Sequence, residues 1–250
     1  MRLILVVLGG LLLAGQVLAQ TPTRKISNVA GDVYRFQNNF HFSLIVATSE
    51  GTVVVDPINS GASSWLKENL KTITDKPVTH LIYSHSHLDH ASGGANLADG
   101  AEVITHANAP EMIDGVKPTL RIDGKHSFKL GGKDIELTYL GPGHGVDMIA
   151  VTVQPENVAF IVDVASPQRL VYRDFGRANI DDWINQIKMA ESLNFEIFAP
   201  GHGRLGTKAE LTEARTYIED LRSQVLAGLK AGKTAEELSE TLMMEKYKTW

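Results

Sequence analysis

The chain has 250 residues, of which 43% are hydrophobic and 21% are charged, and its formal net charge at pH 7 is −5. This composition excludes wholesale disorder and fibrous classes, and the length allows one large domain or two small ones. The absence of cysteine excludes disulfides, thiolate nucleophiles, cysteine-ligated metals and a lipid-modified N-terminal cysteine. Because the sequence contains no block of basic residues, we predict no nucleic-acid partner.

The first 19 residues have the features of a secretory signal peptide. Arg2 precedes an almost wholly apolar stretch over residues 3–14, and Val17 and Ala19 are the small residues expected before a cleavage site. The apolar stretch is shorter than the ~20 residues that span a bilayer, which disfavours an uncleaved anchor. We therefore predict cleavage after Ala19, no stable membrane insertion after cleavage, and a periplasmic or secreted location.

Short strands and amphipathic helices alternate along the remaining chain. Apolar residues at a 3.6-residue period predict helices at 62–73 and 181–193. Runs rich in β-branched residues predict strands, the first two joined by a turn with Asn38 and Asn39. The strands are expected at residues 33–36, 42–46, 52–55, 78–83, 101–105, 134–140, 149–153, 158–162 and 195–199.

Two helices are predicted to close the chain. The Thr-x-x-Glu capping box that marks a helix N-terminus occurs at residues 207–210 and 234–237. Neither a repeat nor a linker-like stretch divides the chain, so we predict a single domain over residues 20–250, with a core at about 24–206 and terminal helices at about 207–250. The order of elements predicts an α/β (α+β) fold in which two β-sheets pack together with helices outside.

The strand expected at 78–83 leads directly into a cluster of potential metal ligands. His85, His87, Asp89 and His90 lie within six residues. Alternate side chains of an extended segment point the same way, so His85 and His87 can bind one ion while the other two serve a second. Imidazole and carboxylate donors without thiolate suit zinc, iron or manganese.

Further candidate ligands follow the ends of later strands. His144 comes after residues 134–140, Asp163 after 158–162, and His202 after 195–199. Strand ends at one rim of a sheet can converge on a point, and glycines beside the two histidines permit sharp turns. We predict two Zn²⁺ ions per chain, with Fe or Mn possible, bridged by Asp163. The first ion is assigned to His85, His87 and His144, and the second to Asp89, His90 and His202.

These residues resemble the metal-binding pattern of the metallo-β-lactamase superfamily. The resemblance runs from about Val33 to His202 and includes the strand that ends at Asp56. It implies an αββα sandwich with a dinuclear site at one edge, and the seven candidate ligands match the family's ligand positions one for one. Asp163 is similar to the aspartate of the glyoxalase II, lactonase and quinoprotein-associated metallohydrolase groups. One departure is Gly145, where the family usually has Thr or Ser.

Residues outside the ligand set are predicted to support the site. Asp56 is expected to hold a ligand loop through hydrogen bonds rather than to bind metal. His41 follows the turn at Asn38 and is a candidate substrate contact, because this region often overhangs the site in the family. Three further histidines have no partner set and are expected to be structural or at the surface: His80, His106 and His126.

The segment at residues 167–180 lacks helical or strand periodicity. It is either an ordinary exposed loop or a substrate loop, since it follows Asp163 and offers guanidinium groups to a carboxylate or phosphate. The candidate substrate residues in it are Tyr172, Arg173 and Arg177.

The predicted reaction is hydrolysis of a small molecule by an exported binuclear zinc enzyme. A hydroxide held between the ions is expected to attack an ester, lactone, thioester or amide carbonyl, and Asp89 is the candidate catalytic residue that accepts a hydrogen bond from the nucleophile. Three alternatives are a β-lactam hydrolase, a mononuclear-iron persulfide dioxygenase and a non-catalytic metal-binding accessory protein of the cell envelope. The substrate and the oligomeric state are left open.

Overall fold

Two β-sheets form the centre of the structure, a computed structural model that describes residues 21–171, 175 and 178–250. The first sheet contains β1 (Arg24–Ala30), β2 (Val33–Asn38), β3 (His41–Ala47), β4 (Thr52–Val55), β5 (Val78–Ile82), β6 (Glu102–His106) and β7 (Leu120–Ile122). The second contains β8 (Lys125–Leu130), β9 (Lys133–Tyr139), β10 (Ile149–Gln154), β11 (Val158–Ile161), β12 (Ile197–Pro200) and β13 (Gly206–Thr207). The described helices are α1 (Ser60–Asn69), α2 (Leu88–Ala91), α3 (Ile180–Glu191), α4 (Lys208–Lys230) and α5 (Ala235–Thr241).

Strand direction brings several loops to the same edge of the molecule. In the first sheet β4 and β5 are parallel, so the loops that follow them leave from one side. In the second sheet β11 and β12 are parallel, and β9 runs the same way because both are antiparallel to the strand between them, β10. The loops after these five strands carry the predicted ligands and Asp56.

The hydrophobic residues separate into three packed layers. The layer between the two sheets contains side chains of both, among them Val53, Ile82, Val151 and Phe160, all fully buried. A second layer lies between the first sheet and α1, and a third between the second sheet and helices α3 and α4. Burial of a helix on each outer face gives the αββα sandwich, which confirms the predicted fold class.

Most predicted elements occur, with corrected boundaries. The first helix was expected at 62–73 but covers Ser60–Asn69, because Asn59 caps its N-terminus by accepting a hydrogen bond from the Ala62 amide. A 3-10 turn continues it over residues 70–72. Both predicted capping boxes are confirmed at the starts of α4 and α5.

Several short or exposed elements were not predicted. Strands β1, β7 and β8, the four-residue helix α2, and β13 were missed, and the prediction that 195–199 is the last strand was wrong because β13 follows β12. In β8 the side chains alternate between exposed and half-buried, so few apolar residues mark it. Within the described residues, none of the helices is long and apolar enough to cross a membrane. The predicted signal peptide, residues 1–19, lies outside them.

Candidate metal centre

Histidine and aspartate side chains from both sheets converge at the shared edge in two groups. In each group the donor atoms lie within 4.8 Å of one another. The first group contains His85, His87 and His144, and the second contains His41, Asp89, His90 and His202.

The first group is built by the loop after β5 and the loop after β9. His85 is fully buried, whereas His87 is exposed at the N-terminal cap of α2. The Nδ1 atom of His87 lies 3.0 Å from Nε2 of His144. These three imidazoles therefore line a candidate metal site that is buried at His85 and open to solvent at His87.

The second group combines α2 and the start of β3 with the loop after β12. The Nε2 atoms of His90 and His202 are 3.2 Å apart, and Asp89 Oδ2 is 3.8 Å from His90 Nε2. His90 is fully buried, while the side chain of Asp89 is 56% exposed. This group has the same division into a buried and an open side as the first.

Asp163 lies between the two groups. Its Oδ2 is 3.4 Å from His144 Nε2 and 3.2 Å from His90 Nε2, and its Oδ1 is 3.2 Å from His202 Nε2. The residue has a φ of 54°, a left-handed conformation that aspartate tolerates better than most residues. The chain turns sharply at the end of β11, and one carboxylate thereby faces both groups.

The proton positions around His85 leave one nitrogen free for a ligand. The Ser84 hydroxyl donates to Asp56 Oδ2 at 2.7 Å, so its oxygen accepts from Nδ1 of His85 at 3.0 Å. The other nitrogen, Nε2, then carries a lone pair. It is buried and has no hydrogen-bond partner among the described residues. A metal ligand supported in this way by a hydroxyl and a carboxylate is typical of protein metal sites.

The contact between His202 and Asp163 also fits a metal ion. His202 Nδ1 donates to the Phe40 carbonyl at 2.7 Å, so a neutral imidazole carries its lone pair on Nε2. That lone pair faces the Asp163 carboxylate at 3.2 Å. Two electron-rich atoms at this distance repel unless a cation lies between them. Donors at about 2.0–2.1 Å from a tetrahedral ion are roughly 3.3 Å apart, which is close to the observed spacing.

The charge states of the ligands follow from burial and from the aspartates. Burial lowers the pKa of His85 well below its ordinary value and that of His144 to about 4, so both are neutral donors at pH 7. Burial also acts to lower the pKa of His90, but the aspartates around it, Asp163 first, raise it to about 9. Burial acts to raise the pKa of Asp163, but the hydrogen bond and charge of His90, together with His85 and His202, lower it below its usual range.

Asp56 lies behind the ligands rather than among them. Its carboxylate is fully buried and accepts hydrogen bonds from the Ser84 amide and hydroxyl, both at 2.7 Å. Burial raises the pKa of Asp56 to about 7, although the charge of His90 and the Ser84 hydrogen bonds act against this rise. The structure thus brings Asp56 to the supporting position that the sequence predicted, with Oδ2 3.6 Å from His90 Nδ1.

A buried glutamine that the sequence analysis missed holds the His144 turn. Gln186 on α3 accepts a hydrogen bond from the His144 amide at 2.9 Å and donates to the Gly141 carbonyl at 2.7 Å. The sequence carried a signal for it. Gln186 is a polar residue within the apolar stripe that Trp183 and Ile187 define on that helix.

A buried arginine, also missed, holds the His202 turn. Arg35 on β2 donates to the carbonyls of Pro200 at 2.9 Å and Gly203 at 3.0 Å, and its guanidinium lies 3.6 Å from the ring centre of Phe42. The sequence signal was weaker here, because a single arginine in a strand is usually exposed.

The structure brings all seven predicted ligands together and adds His41 to the second group, beside Asp89. The substrate role predicted for His41 stays a prediction. Tyr172, Arg173 and Arg177 lie outside the described residues. His80 and His106 lie away from the two groups and stack on aromatic rings, Phe128 and Tyr139.

The chain matches the family model described as "Metallo-beta-lactamase superfamily" over residues 38–202, which is more than half of its length. It therefore belongs to the metallo-β-lactamase superfamily. This match confirms the family predicted from the sequence. It also confirms the predicted enzyme class, a metal-dependent hydrolase of the metallo-β-lactamase type.

Two relatives illustrate the range of the family. The chain is 28% identical over 193 residues to the alpha subunit of 2,4-dinitroanisole O-demethylase from Nocardioides sp. strain JS1661, with 72% of this chain and 58% of that one covered. It is 27% identical over 210 residues to a type 2 metallo-beta-lactamase of Elizabethkingia meningoseptica, with coverages of 73% and 80%. The chain thus spans less than two thirds of the O-demethylase subunit.

Solved structures share the fold at low sequence identity. A metallo-beta-lactamase from Pontibacter korlensis superposes with a TM-score of 0.67 at 20% identity, covering 79% of this chain and 99% of that one. The metallo-beta-lactamase FIM-1 from Pseudomonas aeruginosa, in its mono-zinc form, gives 0.66 at 19% identity, with coverages of 79% and 96%. At this identity the comparison supports the architecture alone.

Proposed function

We propose that the protein is a binuclear zinc hydrolase that cleaves an ester, lactone, thioester or amide bond of a small molecule. The observation that carries the proposal is the position of Asp163, whose single carboxylate faces donor nitrogens of both groups. Such a bridging carboxylate suits two ions better than one. Imidazole and carboxylate donors without sulfur fit zinc, and also iron or manganese.

Two bound ions would lower the pKa of a shared water toward neutrality and polarise the carbonyl of a substrate. The residues of the chain supply orientation and access. On the inner side, His85 and His90 are buried and the side chain of Asp163 is only 9% exposed, so these residues exclude solvent. On the outer side, His87 and Asp89 are exposed, so a substrate reaches the centre from this side. The carboxylate oxygen of Asp89 that binds no metal can accept a hydrogen bond from the attacking water.

Exposed apolar side chains around the open side favour a substrate with an apolar part. Phe40, whose carbonyl accepts the His202 hydrogen bond, has a side chain that is 75% exposed. Leu88, between the candidate ligands His87 and Asp89, is 63% exposed. Val146, two residues after His144, is 60% exposed. Exposed apolar side chains that flank candidate ligands on the open side could contact an apolar part of the substrate. We also keep the hypothesis that Arg173 and Arg177 bind an anionic group, so their replacement by alanine is expected to raise KM for an anionic substrate.

The first test is metal content per chain, measured by mass spectrometry on protein purified without chelators, followed by a substrate screen. The screen contains esters, lactones, thioesters and β-lactams, the last because two similar proteins are named metallo-beta-lactamases. It also contains an electron-poor aryl methyl ether, because both subunits of an O-demethylase match this chain. About two zinc ions per chain, with hydrolysis lost in Asp163→Asn and kept in the distant variant Asp134→Asn, support the proposal.

The alternatives give different results in the same test. About one iron per chain with oxygen consumption would replace the hydrolase with a persulfide dioxygenase. Bound metal without turnover of any substrate class would support the alternative of a non-catalytic accessory protein of the cell envelope. Hydrolysis confined to β-lactams would narrow the proposal to a β-lactamase.

We further propose that the protein is exported to the periplasm or secreted, on the basis of the apolar segment at residues 3–14 and the small residues before position 20. N-terminal sequencing of the protein expressed in a Gram-negative host checks this proposal. A mature chain that begins at Gln20 is the expected result, and an intact N-terminus in the cytoplasm would contradict it.

A further inference from the structure

The turn between β2 and β3 is fixed against the loop that carries His202. The Phe40 carbonyl accepts the His202 Nδ1 proton at 2.7 Å, and the Phe42 amide donates to the Gly201 carbonyl at 2.9 Å. These contacts hold the turn from both sides of one residue, His41. The backbone of His41 is paired with Asn38 across the hairpin, so its position relative to the second group is set by hydrogen bonds.

The side chain of His41 points into the second group. Its ring centre lies 4.6 Å from that of His202 and 5.2 Å from that of His90, and its Nε2 is 3.4 Å from Asp89 Oδ2. The donor atoms of all four residues lie within 4.8 Å of one another. The side chain is 27% exposed, so it covers part of the solvent-facing side of this group.

The distance between His41 and Asp89 fits two ligands of one ion better than a hydrogen bond. An N–H···O bond with a charged acceptor is about 2.7–2.9 Å long. Two donors at 2.0–2.1 Å from one ion are separated by roughly 2.9–3.6 Å when the angle between them at the metal is 90–120°. The observed 3.4 Å lies in this second range, as does the 3.2 Å between His90 and His202.

We propose that Nε2 of His41 is an additional ligand of the ion held by Asp89, His90 and His202. This inference rests on the metal centre proposed above and adds a residue to it. The second ion then has three imidazoles, as the first has in His85, His87 and His144. An extra nitrogen donor on the solvent side strengthens binding of this ion and takes a position that water would otherwise fill.

The test observes the nitrogen directly. The protein, labelled with ¹⁵N at histidine, is loaded with two equivalents of ¹¹³Cd, a spin-active substitute for zinc, and the one-bond coupling between cadmium and each imidazole nitrogen is measured. The expected result is a coupling at Nε2 of His41, assigned by its loss in His41→Gln and in His41→Asn. A residue that only orients Asp89 would give no such coupling. The coupling is measured in the unaltered protein, and a variant assigns it to His41 only if that variant keeps the couplings of the other imidazoles, which shows that it folds.

Affinity gives a second measurement with a matched control. Competition with a chromophoric chelator is expected to show one of two cadmium ions bound at least 10-fold more weakly in His41→Gln, since even residues that only support a ligand contribute about 10–100-fold. His126 is a half-buried histidine on β8 that belongs to neither group, so His126→Gln should bind both ions as the unaltered protein does. Two cadmium signals without coupling to His41 and with unchanged affinities in His41→Gln would overturn this inference and leave the metal centre intact. Failure to bind cadmium at all would overturn the centre itself.

Discussion

Replacement of Gly201 by alanine should damage the second group without replacing any candidate ligand. A Cβ atom at this position would lie 2.5 Å from Val162 Cγ1, 3.0 Å from His90 Cε1 and 3.1 Å from Asp163 Oδ1. Ordinary carbon–carbon contacts are about 3.5–4.0 Å, so the neighbours must move by about 1 Å. Val162 is fully buried, and the Gly201 carbonyl is held by the Phe42 amide, so neither side can yield freely.

The expected cost follows from overpacking a rigid site. Such changes destabilise proteins by about 1–3 kcal/mol, which lowers Tm by roughly 2–12 °C for a chain of this size. Displacement of His90 and Asp163 should also reduce the bound metal from about two ions to about one per chain. Calorimetric melting and mass spectrometry of the purified variant measure the two effects.

Gly145 provides a control of the same chemical change. It follows His144 directly, yet a Cβ atom there would meet nothing closer than 3.4 Å. Gly145→Ala should therefore melt within a few degrees of the unaltered protein and keep both ions. If Gly201→Ala also kept its melting temperature and both ions, the packing argument for this edge would be refuted.

Three further results are expected. Ser84→Ala removes the hydroxyl that orients the buried imidazole of His85, and chelator competition should show 10–100-fold weaker metal binding. Ser86→Ala, on the same loop, should bind metal as tightly as the unaltered protein. Because the pKa of His90 is about 9 in the metal-free protein, metal binding to the second group at pH 7 should release about one proton. The apparent metal affinity of this group should therefore rise as the pH is raised toward 9. Equal calorimetric heats of binding in buffers of different protonation enthalpy would contradict this. Arg35→Met leaves the buried Pro200 carbonyl without a donor and should cost about 1.5–3 kcal/mol in urea unfolding, and an unchanged midpoint would argue against the role assigned to this arginine.

The clustering of the candidate ligands was predictable because its sequence signals are local. Four candidate ligands lie within residues 85–90, and His144, Asp163 and His202 each follow an apolar strand closely. Parallel or equivalent strand directions then bring these loops to one edge, which is a general property of sheets rather than of this sequence. The same reasoning predicted the two packed sheets and their outer helices.

The supporting residues were harder to predict because their partners are distant in sequence. Gln186 binds a turn 42 residues before it, and Arg35 binds carbonyls 165 and 168 residues after it. His41 reaches Asp89 across 48 residues through a hairpin whose docking only the folded chain defines. Exposed edge strands such as β8 were missed for a different reason, since they bury too few side chains to leave a clear alternation of apolar residues.

The donors of both groups are divided between the two sheets. Loops of the first sheet provide His85 and His90, while loops of the second provide His144 and His202. An ion bound in either group would therefore act as a cross-link, and its binding energy would add to the free energy of unfolding, by about 2.7 kcal/mol for each ion when free metal is 100 times its dissociation constant. With such ions, the resistance of the sandwich to heat and proteases would depend on the supply of metal around it, and a newly folded chain would reach its full stability only after binding them.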